Sequence, residues 1–118
     1  MEKTIQSICY SLAEKKCVLT KVLNVRDLTS IADYFVITTT RNRKQSQAAA
    51  DEVEEKMALE GLHPLRTEGY REGDWILIDF GNVIVHIFTD EERCRYDLDN
   101  LWKDAPMEEY HEADYEGQ

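Results

Sequence analysis

The chain has 118 residues, 24 acidic and 14 basic, for a formal charge of −10. That length allows one domain with a real core, since a domain of this size hides roughly two-thirds of the surface its unfolded chain exposes. A composition of 42% hydrophobic and 9% aromatic residues, with 5 Gly and 2 Pro, excludes collagenous, low-complexity and wholly disordered chains; no apolar run approaches the roughly 20 residues that span a bilayer.

Met1-Glu2-Lys3-Thr4 lacks the basic-then-apolar pattern of a secretory signal, and it is not Arg-rich like a transit peptide, so the expected address is the cytoplasm. Residues 3 to 16 place Ile5, Ile8, Cys9 and Leu12 at helical spacing, with Lys15 and Lys16 in the last turn, where the helix dipole favours cations. Residues 18 to 26, rich in Val and Leu, read as a strand; 30 to 33 read as a turn. The β-branched and aromatic run Tyr34 to Thr40 reads as a second, central strand. Asn42 is a good N-cap with Gln45 three residues on, so a helix follows with Ala49, Val53 and Met57 facing the core and Gly61 as its left-handed cap. Residues 64 to 68 read as an edge strand, because Pro64 cannot donate to a ladder.

Gly81-Asn82 joins Trp75–Phe80 to Val83–Phe88 and predicts a tight hairpin. Thr89-Asp90-Glu91-Glu92 has the form of a capping box and predicts a helix from about Asp90 to Leu101. The expected fold is α/β (α+β), a mixed five-stranded sheet flanked by helices in the order α-β-β-α-β-β-β-α. A single domain over 1–103 is expected, followed by an acidic, flexible tail over 104–118. The tail carries six acids and no Lys or Arg; the first 103 residues hold 18 acids and 14 bases, a net of −4.

Three cysteines, Cys9, Cys17 and Cys94, with no C-x-x-C pair, argue against a disulfide framework or a zinc site. His63 and His111 fall in a loop and in the tail, so no metal or other cofactor is expected. The acidic balance argues against a simple phosphate-backbone binder and favours basic protein partners, of which ribosomal proteins are one class.

The hairpin turn pairs Phe80 with Val83, Asp79 with Ile84, Ile78 with Val85 and Leu77 with His86. One face (Ile76, Ile78, Phe80, Val83, Val85, Ile87) is wholly apolar and belongs to the core. The other (Trp75, Leu77, Asp79, Ile84, His86, Phe88) mixes large apolar groups with two polar ones. Either it is an interface, or a helix of the chain covers it and Asp79 and His86 bond to each other or to backbone. Asp79 and His86 lie diagonally across the pair, roughly 7–8 Å apart at Cα. With Cys94 they suggest a Cys-His-Asp hydrolase, but no nucleophile elbow or oxyanion-hole motif supports it. Arg41-Asn42-Arg43-Lys44, at a helix N-terminus, is either a solvated turn or a contact for nucleic-acid phosphate through Arg41, Arg43 and Lys44.

The run W-x-x-x-D-x-G-x-V-x-V-H-x-F from Trp75 to Phe88, then R-x-x-Y-x-L-x-x-L-W from Arg93 to Trp102, with Ala32–Ile37 and Glu68-Gly69, resembles the ribosomal silencing factor family (RsfS, also called Iojap) over about residues 5 to 106. The resemblance implies a nucleotidyltransferase-like fold without known enzymatic activity. It implies docking on large-subunit ribosomal protein fourteen of the 50S subunit, a block of small-subunit joining, repression of translation when nutrients are short, and a link to late large-subunit assembly. Carried to matching positions, the partner surface is Glu68, Gly69, Trp75, Asp79, Tyr96 and Leu98. Trp75 and Tyr96 are the apolar anchors, and Glu68 and Asp79 pair with cations of the partner. Arg93 and Trp102 belong either to that surface or to the fold itself, Arg93 by bonding a carboxylate such as Asp79 or Asp97 and Trp102 by closing the core. Phe80 stands where Leu or Tyr is common in the family. Two other readings stay open. One is a vestigial nucleotidyltransferase-fold enzyme, although no Gly-Ser is present and Asp97-Leu98-Asp99 falls in the last helix. The other is a homodimer through strand 64–68 or the mixed hairpin face.

Overall fold

The computed structural model describes residues 3–109. In chain order its elements are α1 (Lys3–Glu14), β1 (Val18–Asn24), β2 (Tyr34–Thr40), α2 (Arg43–Leu59), β3 (Arg66–Glu68), β4 (Trp75–Asp79), β5 (Val83–Thr89), α3 (Asp90–Tyr96), α4 (Leu98–Leu101) and β6 (Met107–Glu109). The strands make one sheet in the order β3-β4-β5-β2-β1-β6. The β2–β5 pair is parallel and the other neighbours are antiparallel. This is the expected mixed sheet flanked by helices, with six strands where five were expected.

Local sequence sets several of these elements directly. Asn42 Oδ1 accepts from the Gln45 amide at 2.8 Å and Gln45 Oε1 accepts from the Arg41 amide at 2.7 Å, so the start of α2 satisfies its own donors. Gly61 takes φ +81° just past α2, and the Leu62 amide reaches back to the Met57 carbonyl at 2.9 Å. The hairpin closes in the expected register, with the Phe80 amide on the Val83 carbonyl at 2.9 Å and Leu77 opposite His86.

The apolar hairpin face lies under α1 and α2. Ile76, Ile78, Val85 and Ile87 meet Ile5, Ile8, Leu12, Val53 and Met57 in one buried cluster. All seven residues of β5 are buried, as suits a strand with neighbours on both edges and helices on both faces. The opposite face is lined by Leu23, Phe35, Ile37, Ile84 and Phe88, against which Leu98 and Trp102 pack.

The structure corrects four expectations. The helix expected from Asp90 to Leu101 breaks at Asp97, which takes φ +44° and whose side chain caps α4 at the Asn100 amide. Thr89 makes no side-chain cap at α3, and Asp90 Oδ1 accepts the Glu91 amide instead, at 2.9 Å. The first strand ends at Asn24 and carries a bulge: one extra residue lies between Val18 and Lys21 relative to Thr39 and Ile37, with Leu19 at φ +54°. The segment read as a flexible tail begins with Ala105 buried and Met107–Glu109 paired to β1 as β6. Backbone pairing at a sheet edge needs no apolar alternation, which is why the acidic sequence gave no sign of it. The remainder of that tail, 110–118, lies outside the described residues.

Candidate functional site

The short α3–α4 segment crosses only part of the second sheet face. At its far end the Trp102 ring meets Phe35 edge-on, with centroids 5.2 Å apart, and so closes the core as expected. At its near end lies Tyr96, which remains 47% exposed. Between these points Arg93 anchors the segment. Its guanidinium donates to Asp99 through Nε at 3.2 Å and Nη2 at 3.1 Å, and through Nη1 to the Leu19 carbonyl and Thr39 Oγ1, both at 2.7 Å. The β1 bulge aims that carbonyl at the guanidinium. The expected partners Asp79 and Asp97 are therefore corrected to Asp99. Burial pushes the Asp99 carboxyl up, but the Arg93 hydrogen bond and the charges of Arg93 and Lys21 outweigh it and hold the group below its ordinary value.

What α3–α4 leaves open is the β3–β4 side. Trp75 stacks on Phe88 with centroids 4.8 Å apart and meets Tyr96 at 4.7 Å. Its indole Nε1–H donates to His86 Nδ1 at 3.1 Å. His86 is thus an acceptor at Nδ1 and carries its proton on Nε2, an atom that is buried with no hydrogen-bond partner. Burial drives its pKa down from 6.5 to about 4, so the ring is neutral near pH 7. Leu77 and Leu98 are half-buried beside Trp75. The result is a partly open aromatic patch whose anchors are already held in place by other rings.

Two carboxylates flank the patch. Asp79 accepts from the Gly81 amide at 2.8 Å and from Arg66 Nε at 3.3 Å; Glu68 pairs with Arg66 Nη1 at 2.7 Å. Arg66 therefore sits between both acids, and sequence reading missed it. The signal was available: Arg66 lies two residues from Glu68 on one strand and directly opposite Asp79 on the next. Gly69 has a different task from its neighbours. At φ +79°, a Cβ added there would run into the Trp75 carbonyl oxygen, so the glycine lets the β3–β4 loop close behind Trp75.

Glu68, Trp75, Asp79, Tyr96 and Leu98 thus lie around one side of the sheet. Arg41, Arg43 and Lys44 lie apart, at the start of α2, on a cavity of about 540 Å³ shared with Asp74, Thr89, Asp90 and Glu91. Arg43 Nε pairs with Asp74 at 2.7 Å, which joins this cavity to the residue before Trp75.

The hydrolase geometry is not assembled. His86 is engaged by Trp75, Asp79 by Gly81 and Arg66, and Cys94 stands exposed on α3. Burial raises the Cys9 and Cys17 thiols to about 12, which leaves both inert. Asp97 and Asp99 are spent on a helix cap and on Arg93. Among the described residues no helix is long and apolar enough to cross a membrane.

A family model described as "Ribosomal silencing factor during starvation" matches residues 1–118. The ribosomal silencing factor RsfS of Halalkalibacterium halodurans is 37% identical over 108 residues, 92% of each chain. That of Bacillus subtilis is 39% identical over 85 residues, 72% of each. A crystal structure of a Chromobacterium violaceum protein superposes with a TM-score of 0.83 at 28% identity, covering 87% of this chain and 88% of that one. Its fold, its paired hairpin and helix motifs and these matches together establish that the chain belongs to the ribosomal silencing factor family.

Proposed function

We propose that this silencing factor binds the large ribosomal subunit through large-subunit ribosomal protein fourteen and occludes the surface that the small subunit must meet. Joining is blocked sterically and translation is repressed in the cytoplasm, with no catalytic step. The observation that carries this reading is the open aromatic patch. Trp75 and Tyr96 are large, preorganised anchors, and Glu68 and Asp79 supply acid at the rim for a basic partner. Docking of the same patch on an incomplete subunit accounts for a role in late large-subunit assembly.

Arg41, Arg43 and Lys44 give a second, peripheral contact to rRNA phosphate. Through the Arg43–Asp74 pair this cavity, lined by three cations and three carboxylates, adjoins Trp75, so a protein partner seated on the aromatic patch brings its surrounding RNA close to Arg41 and Lys44. Purified protein added in several-fold excess to separated subunits should lower the joined fraction in a sucrose gradient, and Trp75→Ala should abolish the effect while keeping a native circular dichroism spectrum. An unchanged joined fraction would reject the occlusion reading. If sedimentation shows the free protein dimerising with loss of subunit binding at high concentration, a second copy competes for the same patch.

A further inference from the structure

We propose that His86 is the positioning residue of the docking surface: by accepting the indole N–H of Trp75 it turns that ring's only polar atom into the protein, so that Trp75 meets its partner as hydrocarbon and selects an aliphatic facing surface. The choice of partner surface rests on the docking role proposed above; the arrangement within the free protein does not.

An indole at a half-open surface ordinarily keeps its N–H wet and buries its carbon. Trp75 does the reverse. It is half-buried, and its Nε1–H points inward to His86 Nδ1 at 3.1 Å. Indole has one heteroatom, so the part of the ring that reaches solvent offers no donor. Leu77 and Leu98 beside it add only aliphatic surface. A carbonyl or carboxylate that a partner placed over Trp75 would lose its water with nothing to bond in return. Methyl and methylene groups in the same place meet no such penalty. Recognition of cations stays with Glu68 and Asp79 at the rim.

Packing alone does not account for a histidine at this position. Phe35 meets the ring edge-on with centroids 5.0 Å apart, Phe88 stacks at 6.2 Å, and Leu77 and Ile37 stand opposite it on the two neighbouring strands. In such apolar surroundings Phe or Leu would fill the space without leaving Nε2 buried and unpartnered. What histidine adds is an acceptor: among rings of this size only a neutral imidazole carries one. The stranded Nε2–H follows from that choice, because a neutral ring whose Nδ1 accepts must hold its proton on Nε2. Asp79, the other acceptor on this face, is already held by the Gly81 amide and by Arg66, so the indole N–H is left to His86.

The first test needs no substitution. In the free full chain, long-range proton–nitrogen correlation of the imidazole should place the His86 proton on Nε2; a proton on Nδ1 would overturn the proposal. The chain has two tryptophans, so the Trp75 indole signal is assigned by its loss in Trp75→Phe. Purified large-subunit ribosomal protein fourteen is then added. The carbon-bound ring protons of Trp75 should contact partner methyl groups, while the N–H stays slow to exchange and keeps its contact with His86. An N–H that leaves His86 on binding would overturn the proposal. Binding that leaves every Trp75 signal in place would reject the docking reading, and the partner selection with it. Affinity supplies the last arm, at a temperature where all variants are folded. His86→Leu should weaken binding several-fold, and His86→Gln, whose amide oxygen can accept, should restore most of it. Once Trp75→Phe has removed the N–H, His86→Leu should weaken binding no further. An equal loss with and without the indole N–H would show that the histidine acts through packing, and would overturn the proposal.

Discussion

The two faces of the β4–β5 hairpin come from the same dozen residues, yet they are held by different physics. The face under α1 and α2 is aliphatic and wholly buried, secured by area removed from water and close packing. The face under α3–α4 is only half covered and is secured by directed contacts: the Arg93 fork, the Trp75–His86 hydrogen bond and stacked rings. Burial stabilises without specifying orientation, whereas directed contacts fix where Trp75 and Tyr96 stand. Damage to the first face should therefore unfold the chain, and damage to the second should misplace the docking surface.

The largest effect is expected on the first face. Ile78→Ala removes a side chain with no solvent exposure and leaves a cavity under α2, a cost of about 2–5 kcal/mol. Urea titration should show the midpoint fall with an unchanged slope. A loss below about 1 kcal/mol would mean that the helices repack and that this face is softer than its burial suggests.

On the second face the largest handle is His86. Its folded pKa of about 4 lies below the ordinary 6.5, so between these values the unfolded chain binds the proton that the folded chain refuses. Its contribution is undiminished above pH 6.5, falls as pH drops through the window, and levels off below about 4. At about 1.4 kcal/mol per pH unit, the full loss is about 3 kcal/mol. His86→Gln should flatten this part of the stability profile relative to wild type. Parallel profiles for the two would show that His86 titrates normally and that its burial is not maintained in solution.

Arg93→Ala comes next. It leaves Asp99 with Lys21 alone and strands the Leu19 carbonyl, a loss of about 2 kcal/mol, and it frees the α3–α4 segment that carries Tyr96 and Leu98. Subunit affinity should drop at temperatures where the protein is still fully folded. Unchanged affinity in the folded variant would show that the patch is set by Trp75 alone.

How much of this was legible follows the same division. The hairpin register and the core face could be read because a two-residue turn fixes pairing and alternation does the rest. The α2 caps were legible because their partners are three or four residues away. Asp97 was not, because a left-handed Asp inside a helical pattern is justified only once Arg93 reaches Asp99, Leu19 and Thr39. Nor was the His86 partner: Asp79 and Trp75 occupy the two opposite diagonals from His86, and the sheet's twist, which pattern does not reveal, decides between them. The acidic positions Glu68 and Asp79 were read, but not the cation already standing between them.

That cation sets the smallest and most discriminating expectation. Arg66 shields both rim carboxylates in the free protein, and a basic partner must displace it or share them. All three side chains reach solvent, so the internal pairs are worth at most about 1 kcal/mol and Arg66→Ala should scarcely change stability. If Glu68 and Asp79 meet partner cations, the same substitution should tighten subunit binding several-fold, chiefly through a faster association rate at low salt, and Glu68→Gln should move the rate the opposite way. Trp75→Ala should instead act on dissociation, with its loss insensitive to salt. Weaker binding for Arg66→Ala would show that Arg66 itself touches the partner, and would make the rim mixed in charge rather than acidic.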